Sequence, residues 1–182
     1  MNIDYSKLRP LDLVVFSGKG FNPGCCRFST TGNIFKIRDR SIACHIGMII
    51  EWQGNYFIAE SRSGGVQINS IQKYLDVKGS RYILDIKRHP EYDNPEKANR
   101  VMKNISLDLF NHVGFDYEGM FFSMFVLFGI PYRHDNKKFY CSEYYYHLTK
   151  EDILYPSTWE NNRVLPEMLN KYEQFYSINA MS

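Results

Sequence analysis

Between Leu11 and Phe16 the chain reads LDLVVF, apolar and β-branched, and the following SGKG is a turn signal that closes it as a strand. Residues 18–40 mix Gly, Pro, Ser, Thr and Asn, which predicts a long surface excursion. IACHIGMIIEW (42–52) and YFIAES (56–61) follow, two β-type runs divided by QGN, the pattern of a hairpin. GGVQI (64–68) continues extended, INSIQKYL (68–75) has the composition of a short helix, and RYILDI (81–86) is a further strand. The period then changes. Asn94-Pro95 supplies a cap and a first-turn proline, and Ala98, Val101, Met102, Ile105 and Leu109 recur at helical spacing up to Gly114. A second helix is expected over Met120–Phe128 and a third from about Cys141. Strands gather in the first half and helices in the second, so the fold class is α+β with an antiparallel sheet. Neither a repeat nor a linker divides the pattern, and a single domain over residues 1–182 is expected.

The hairpin also has a register. A loop over Trp52–Asn55 would pair Glu51 with Tyr56 and Gly47 with Glu60. That places His45 diagonal to Glu60 on one face of the sheet, with the bare Gly47 leaving the carboxylate room to lean toward the ring. A slip of one residue would send Glu60 to the other face.

Composition narrows the function classes. Lys and Arg number 22 against 20 Asp and Glu, and the short basic pieces FKIRDR and DIKRH form no stripe, so no nucleic-acid partner is implied. The start, MNIDYSKLRP, lacks the basic-then-apolar layout of a secretory signal, which makes a cytoplasmic location the expectation. The longest apolar run, Met120–Ile130, is far short of the roughly 20 residues a membrane span needs. It reads as a buried helix, with an acyl-chain or membrane-surface contact as the alternative. Four cysteines do not suggest a disulfide scaffold, and adjacent Cys25 and Cys26 are ill placed to bridge each other. No Cys or His pair has zinc-type spacing, so neither a metal nor another cofactor is expected.

One cysteine stands where chemistry is available. Cys141 opens the last predicted helix in KFYCSEYYYHLTK, where the helix dipole favours a thiolate and the first-turn N–H groups can hold an oxyanion. The alternative is an inert buried thiol. A nucleophile needs a base, and the five histidines differ as candidates. His147 lies six residues along the same helix, too far round and along it to serve. His89 and His134 sit in polar loops and read as solvated, and His112 suits the C-terminal dipole of the preceding helix. His45 stands at the head of an apolar strand, where an imidazole requires a reason. With Glu60 to orient it, His45 could take the proton of a thiol.

These pieces, LDLVVFSG, then CHIGMII and FIAESRSGGVQI, then FDY and finally FYCSEYYYHL, resemble the permuted papain-like cysteine hydrolases. These are the YiiX/YebB-like group of the NlpC-type superfamily, relatives of the lecithin–retinol acyltransferases. In that group the histidine precedes the cysteine, as here, and the likeness runs from about Leu8 to Leu148. It implies Cys141 as nucleophile, His45 as general base and Glu60 as the residue orienting the imidazole. It further implies a cysteine hydrolase that cleaves an amide of a peptide, amino-acyl or cell-wall-type substrate through a thioester. Lipid acyl transfer or thioester hydrolysis, and a non-catalytic binding module, are the other readings. Ser17 and Tyr117 are candidate pocket residues, for a small-molecule, peptide or acyl substrate. Two departures stand out: Pro10-Leu11-Asp12 where the group usually has Pro-Gly-Asp, and Phe115-Asp116-Tyr117 where a Tyr-Asp pair is common.

Overall fold

A computed structural model of the chain describes residues 3–18, 43, 45–75, 81–117, 138–159, 164–178 and 180. Residues 19–40 of the expected surface excursion, Cys25 and Cys26, the Met120–Ile130 run and His134 lie outside them.

The described residues form a mixed α+β structure. The strands are β1 (Leu13–Gly18), β2 (His45–Trp52), β3 (Asn55–Arg62), β4 (Gly65–Ser70), β5 (Arg81–Arg88) and β6 (Tyr176–Ser177). The helices are α1 (Gln72–Leu75), α2 (Pro95–Phe110), α3 (Cys141–Thr149) and α4 (Pro166–Lys171). The six strands make one antiparallel sheet in the order β4-β3-β2-β1-β5-β6. The chain returns late to add β6 at the edge, the exception to strands-first order. Of the INSIQKYL stretch, Ile68–Ser70 completes β4 and only Gln72–Leu75 is helical.

Alternation along the strands sorts the core onto two faces. Leu13, Val15, Ile46, Met48 and Ala59 pack beneath α2 and α3, against Val101, Ile105, Tyr144, Tyr145 and Leu148. Val14, Phe16, Ile49, Ile58, Ile83 and Ile86 occupy the other face with Ile71 and with Tyr74 of α1.

The hairpin has the expected register, Glu51 opposite Tyr56, but its loop is tighter: Trp52 also pairs with Asn55. The turn is Gln53-Gly54 alone, with φ +52° and +73°. Positive φ at both positions is the type I′ geometry that follows the right-handed twist of the strands.

Helix α2 begins as its sequence predicts, with Asn94 accepting from the Glu96 N–H at 2.9 Å and Pro95 in the first turn. It ends at Phe110 rather than running to Gly114. His112 takes φ +51°, with the Val113 N–H returning to the Asp108 carbonyl at 3.0 Å and its own N–H to Leu109 at 3.2 Å. His112 therefore holds the left-handed cap position of a Schellman ending, usually glycine's. His89 corrects the expectation of a solvated residue. It is buried, bonded through Nε2 to Gln174 at 2.9 Å, and edge-on to Phe175. Those partners arrive from far along the chain, so a loop-like local sequence did not reveal them.

Candidate active site

β2 and β3 pair from Trp52↔Asn55 as far as Met48↔Ala59, and the described pairing ends there. Both strands continue, β2 beside β1 to Phe16↔His45 and β3 beside β4 to Arg62↔Gly65. The sheet therefore parts between Gly47 and Glu60. Gly47 is required at the parting: a Cβ there would lie 2.5 Å from Cγ2 of Ile58 and 3.3 Å from the Phe16 ring.

Helix α3 is pinned at this place. Ser61 of β3 donates to the Phe139 carbonyl at 2.6 Å, and Ser142 donates to that of Val164 at 2.6 Å. The lead-in segment lies along residues 114–116, Phe139 N–H meeting the Gly114 carbonyl at 3.1 Å. These contacts bring Cys141 to a tight cluster that includes Ile46, Gly47, Met48, Glu60, Tyr144 and Tyr145. The thiol, delivered from one face, comes close enough to the His45 imidazole, which belongs to the other, to raise the pKa of the ring.

His45 is buried, its ring 5.3 Å from that of Phe16. Its Nε2 lies 2.5 Å from Oε2 of Glu60, which leaves Nδ1 as the nitrogen available to the thiol. Glu60 is 1% exposed, an interior carboxylate and not a solvated strand end. Its Oε1 accepts from Asn69 Nδ2 at 2.8 Å, from the Tyr74 hydroxyl, and from Arg62 at 3.4 Å. Arg62 also donates to the Tyr74 oxygen at 3.2 Å.

The electrostatics of the two groups agree in direction. Burial alone would lower the His45 pKa, but the charge and hydrogen bond of Cys141, then those of Glu60, raise it above its ordinary value. Burial would raise Glu60, yet the bond and charge of His45, with Tyr74 and Arg62, bring it down to about 2. The arrangement favours imidazolium beside carboxylate, a state that stabilises a neighbouring thiolate.

Glu143, in the first turn of α3, is fully buried and reaches back to the Tyr140 N–H at 3.4 Å. Burial pushes its carboxyl up to about 9, with the charges of Asp116 and Cys141 adding to the rise. It holds its proton at neutral pH, so no fixed negative charge stands there beside the sulfur.

Ser17 is buried in β1 opposite Tyr82. Tyr117 is half exposed, its ring edge-on to Phe115 at 4.7 Å. The His147 ring stacks on Phe139 at 4.5 Å. Asn69, Arg62 and Tyr74 were not legible as site residues: Asn69 and Tyr74 fall in INSIQKYL, which reads as a short helix, Arg62 lies just past the YFIAES run, and nothing in their spacing points to Glu60. Among the described residues, no group of three or more His, Cys, Asp and Glu side chains could hold a metal ion, and no helix is long and apolar enough to cross a membrane.

No family model matches the chain, and no curated protein matches it. Among solved structures it is similar to that of YiiX from Escherichia coli O157:H7, described as a metalloprotein. The TM-score is 0.62 at 12% identity, and the match covers 96% of this chain and 98% of that one. At that identity the likeness defines the fold: a mixed α+β structure of the YiiX kind.

Proposed function

We propose that the protein is a cysteine hydrolase of permuted papain-like architecture, one domain over residues 1–182, that cleaves an amide through a thioester. The observation that carries this reading is the line of Cys141, His45 and Glu60 at the parting of β2 and β3. Such a line can activate a sulfur.

In this mechanism His45 Nδ1 holds the proton of Cys141, and the thiolate attacks the substrate carbonyl carbon. The oxyanion that forms is stabilised by first-turn N–H groups of α3, that of Cys141 among them. Collapse breaks the C–N bond as the imidazolium gives its proton to the leaving amine, and the acyl group stays on sulfur as a thioester. Water, losing its proton to His45, then attacks the thioester. The acid departs, and the proton returns with the sulfur to the starting pair. Glu60 keeps the ring turned and supports its charge throughout. The steps use side chains and backbone N–H groups of this chain together with water. The substrate class the resemblance implies is a small molecule, a peptide or an acyl compound.

The test is a panel of amides and esters, with mass spectrometry of the Cys141 peptide after rapid acid quench. An acyl mass on Cys141 is expected, absent in Cys141→Ser and in His45→Ala. Release of that acyl group to an added alcohol instead of to water would make the protein an acyltransferase. Equal turnover by the protein and by Cys141→Ser across the panel would reject the enzyme reading in favour of a binding module.

A further inference from the structure

The two oxygens of Glu60 do different work. Oε2 faces His45 Nε2 at 2.5 Å. Oε1 collects every other donor, Asn69 Nδ2 at 2.8 Å, the Tyr74 hydroxyl and Arg62 at 3.4 Å. We propose that Asn69 and Tyr74, at the end of β4 and in α1, are positioning residues. They occupy Oε1 so that Oε2 alone is aimed at the imidazole, and short helix α1 belongs to the site although it bears no reacting group. The proposal rests on the reading of Cys141 and His45 as a working pair.

The orientation of Asn69 follows from its neighbours. Lys73 Nζ donates to Asn69 Oδ1 at 2.7 Å. An ammonium only donates, so the amide oxygen must face Lys73, and its NH2 is thereby turned to Glu60. Lys73 stands four residues beyond Asn69, across the turn at Ile71 where β4 becomes α1. That turn is tied by Gln72 N–H to Ser70 Oγ at 3.3 Å and by Tyr74 N–H to the Ile71 carbonyl at 3.0 Å. A chain of hydrogen bonds thus links an exposed lysine, through Asn69, to Glu60, which accepts from Asn69 on one oxygen and faces His45 with the other.

Tyr74 is placed with equal definition. Phe16 stands beside both rings, 5.3 Å from His45 and 4.9 Å from Tyr74, and the tyrosine hydroxyl goes to the carboxylate. Burial and the Glu60 charge raise the pKa of that hydroxyl, so it remains a donor. Three donors on one oxygen set the torsion of the carboxylate, because turning it would break all three together. Outer residues that orient metal ligands in this way are commonly worth roughly 10–100-fold in activity, and the same logic applies to an imidazole.

The experiment follows the His45 imidazole by NMR against pH, its resonance assigned by loss in His45→Ala. It also records the rate of Cys141 alkylation by iodoacetamide at neutral pH. The charged groups facing the ring are Cys141 and Glu60, with Arg62 and Lys73 behind the latter. Neither readout needs the natural substrate. Tyr74→Phe and Asn69→Ala are expected to lower the pH at which His45 loses its proton by about one unit, and alkylation by about tenfold, the worth of one hydrogen bond to a charged group. Lys73→Met should move both in the same direction and Lys73→Arg should restore them. Val101→Ala, a core truncation remote from Glu60, should lower stability and leave both unchanged. Should Tyr74→Phe not fold, the exposed Lys73→Met carries the same test. Unchanged values in Tyr74→Phe, Asn69→Ala and Lys73→Met, with Glu60→Gln still lowering them, would overturn the positioning role and leave the pair standing. Alkylation unaffected by His45→Ala would overturn the pair and this proposal together.

Discussion

Replacing Glu143 by Gln should stabilise the protein, and more so at each higher pH. The fold holds this carboxyl protonated up to about 9, whereas its ordinary value is 4.5. Between those values the native state keeps a proton that the unfolded chain has released, so stability falls as pH rises through the window. Glu143 is fully buried, and solvent does not soften the effect. The slope is just over about 1 kcal/mol per pH unit, which accumulates to an order of 3 kcal/mol by pH 7. Gln has the same shape, can still accept from the Tyr140 N–H, and has no proton to lose. Asp116 and Cys141, the charged neighbours, are common to both proteins. Urea unfolding at half-unit steps from pH 5 to pH 8 measures the difference directly, and every other titrating group cancels. A widening advantage for Glu143→Gln is expected. A constant difference, or one that shrinks with pH, would refute the assignment of a protonated acid in the first turn of α3.

Three further outcomes concern the frame around the site. Gly64 and Gly65 hold φ +110° and +100°, but a Cβ on Gly64 meets open space while one on Gly65 falls 2.3 Å from the Val113 carbonyl oxygen. Gly65→Ala should therefore lower the urea midpoint well beyond the roughly 1 kcal/mol of backbone strain expected of Gly64→Ala. Gly47→Ala should cost about 1–3 kcal/mol, since Ile58 and Phe16 must both move, and it should shift the His45 NMR resonance through the displaced Phe16 ring. Arg88 grips the buried Asp12 with Nε to Oδ1 and Nη2 to Oδ2, each at 2.8 Å. Arg88→Met should cost about 3–5 kcal/mol in chemical denaturation, and adding Asp12→Asn should recover part of that loss.

What the sequence revealed, and what it concealed, divides by range. The hairpin register was legible although the loop was read as Trp52–Asn55, because pairing Trp52 with Asn55 keeps Glu51 opposite Tyr56, and the diagonal of His45 and Glu60 followed from it. The start of α2 was legible locally, in Asn94-Pro95. The parting of β2 from β3 was not, since it depends on β1 holding one strand and β4 the other. His89 misled because Gln174 and Phe175 reach it only in the folded chain. Leu11 shows a local departure with a structural answer. It stands where the resembled group usually has glycine, and it takes φ +72°, the left-handed region glycine tolerates. Its side chain is 1% exposed in the core, and its N–H meets the Ile49 carbonyl at 2.7 Å. Burial of the leucine offsets a strain of about 1–2 kcal/mol.

The proposed chemistry depends on His45 supporting a thiolate at Cys141. The most direct test is the alkylation rate of Cys141 across pH, read on its own peptide by mass spectrometry, in the protein and in His45→Ala. Rapid alkylation of the protein near pH 6, moving in His45→Ala to the range of an ordinary thiol around 8.5, is the predicted result. Superimposable profiles would contradict it, and Cys141 would then be a thiol beside a histidine and nothing more.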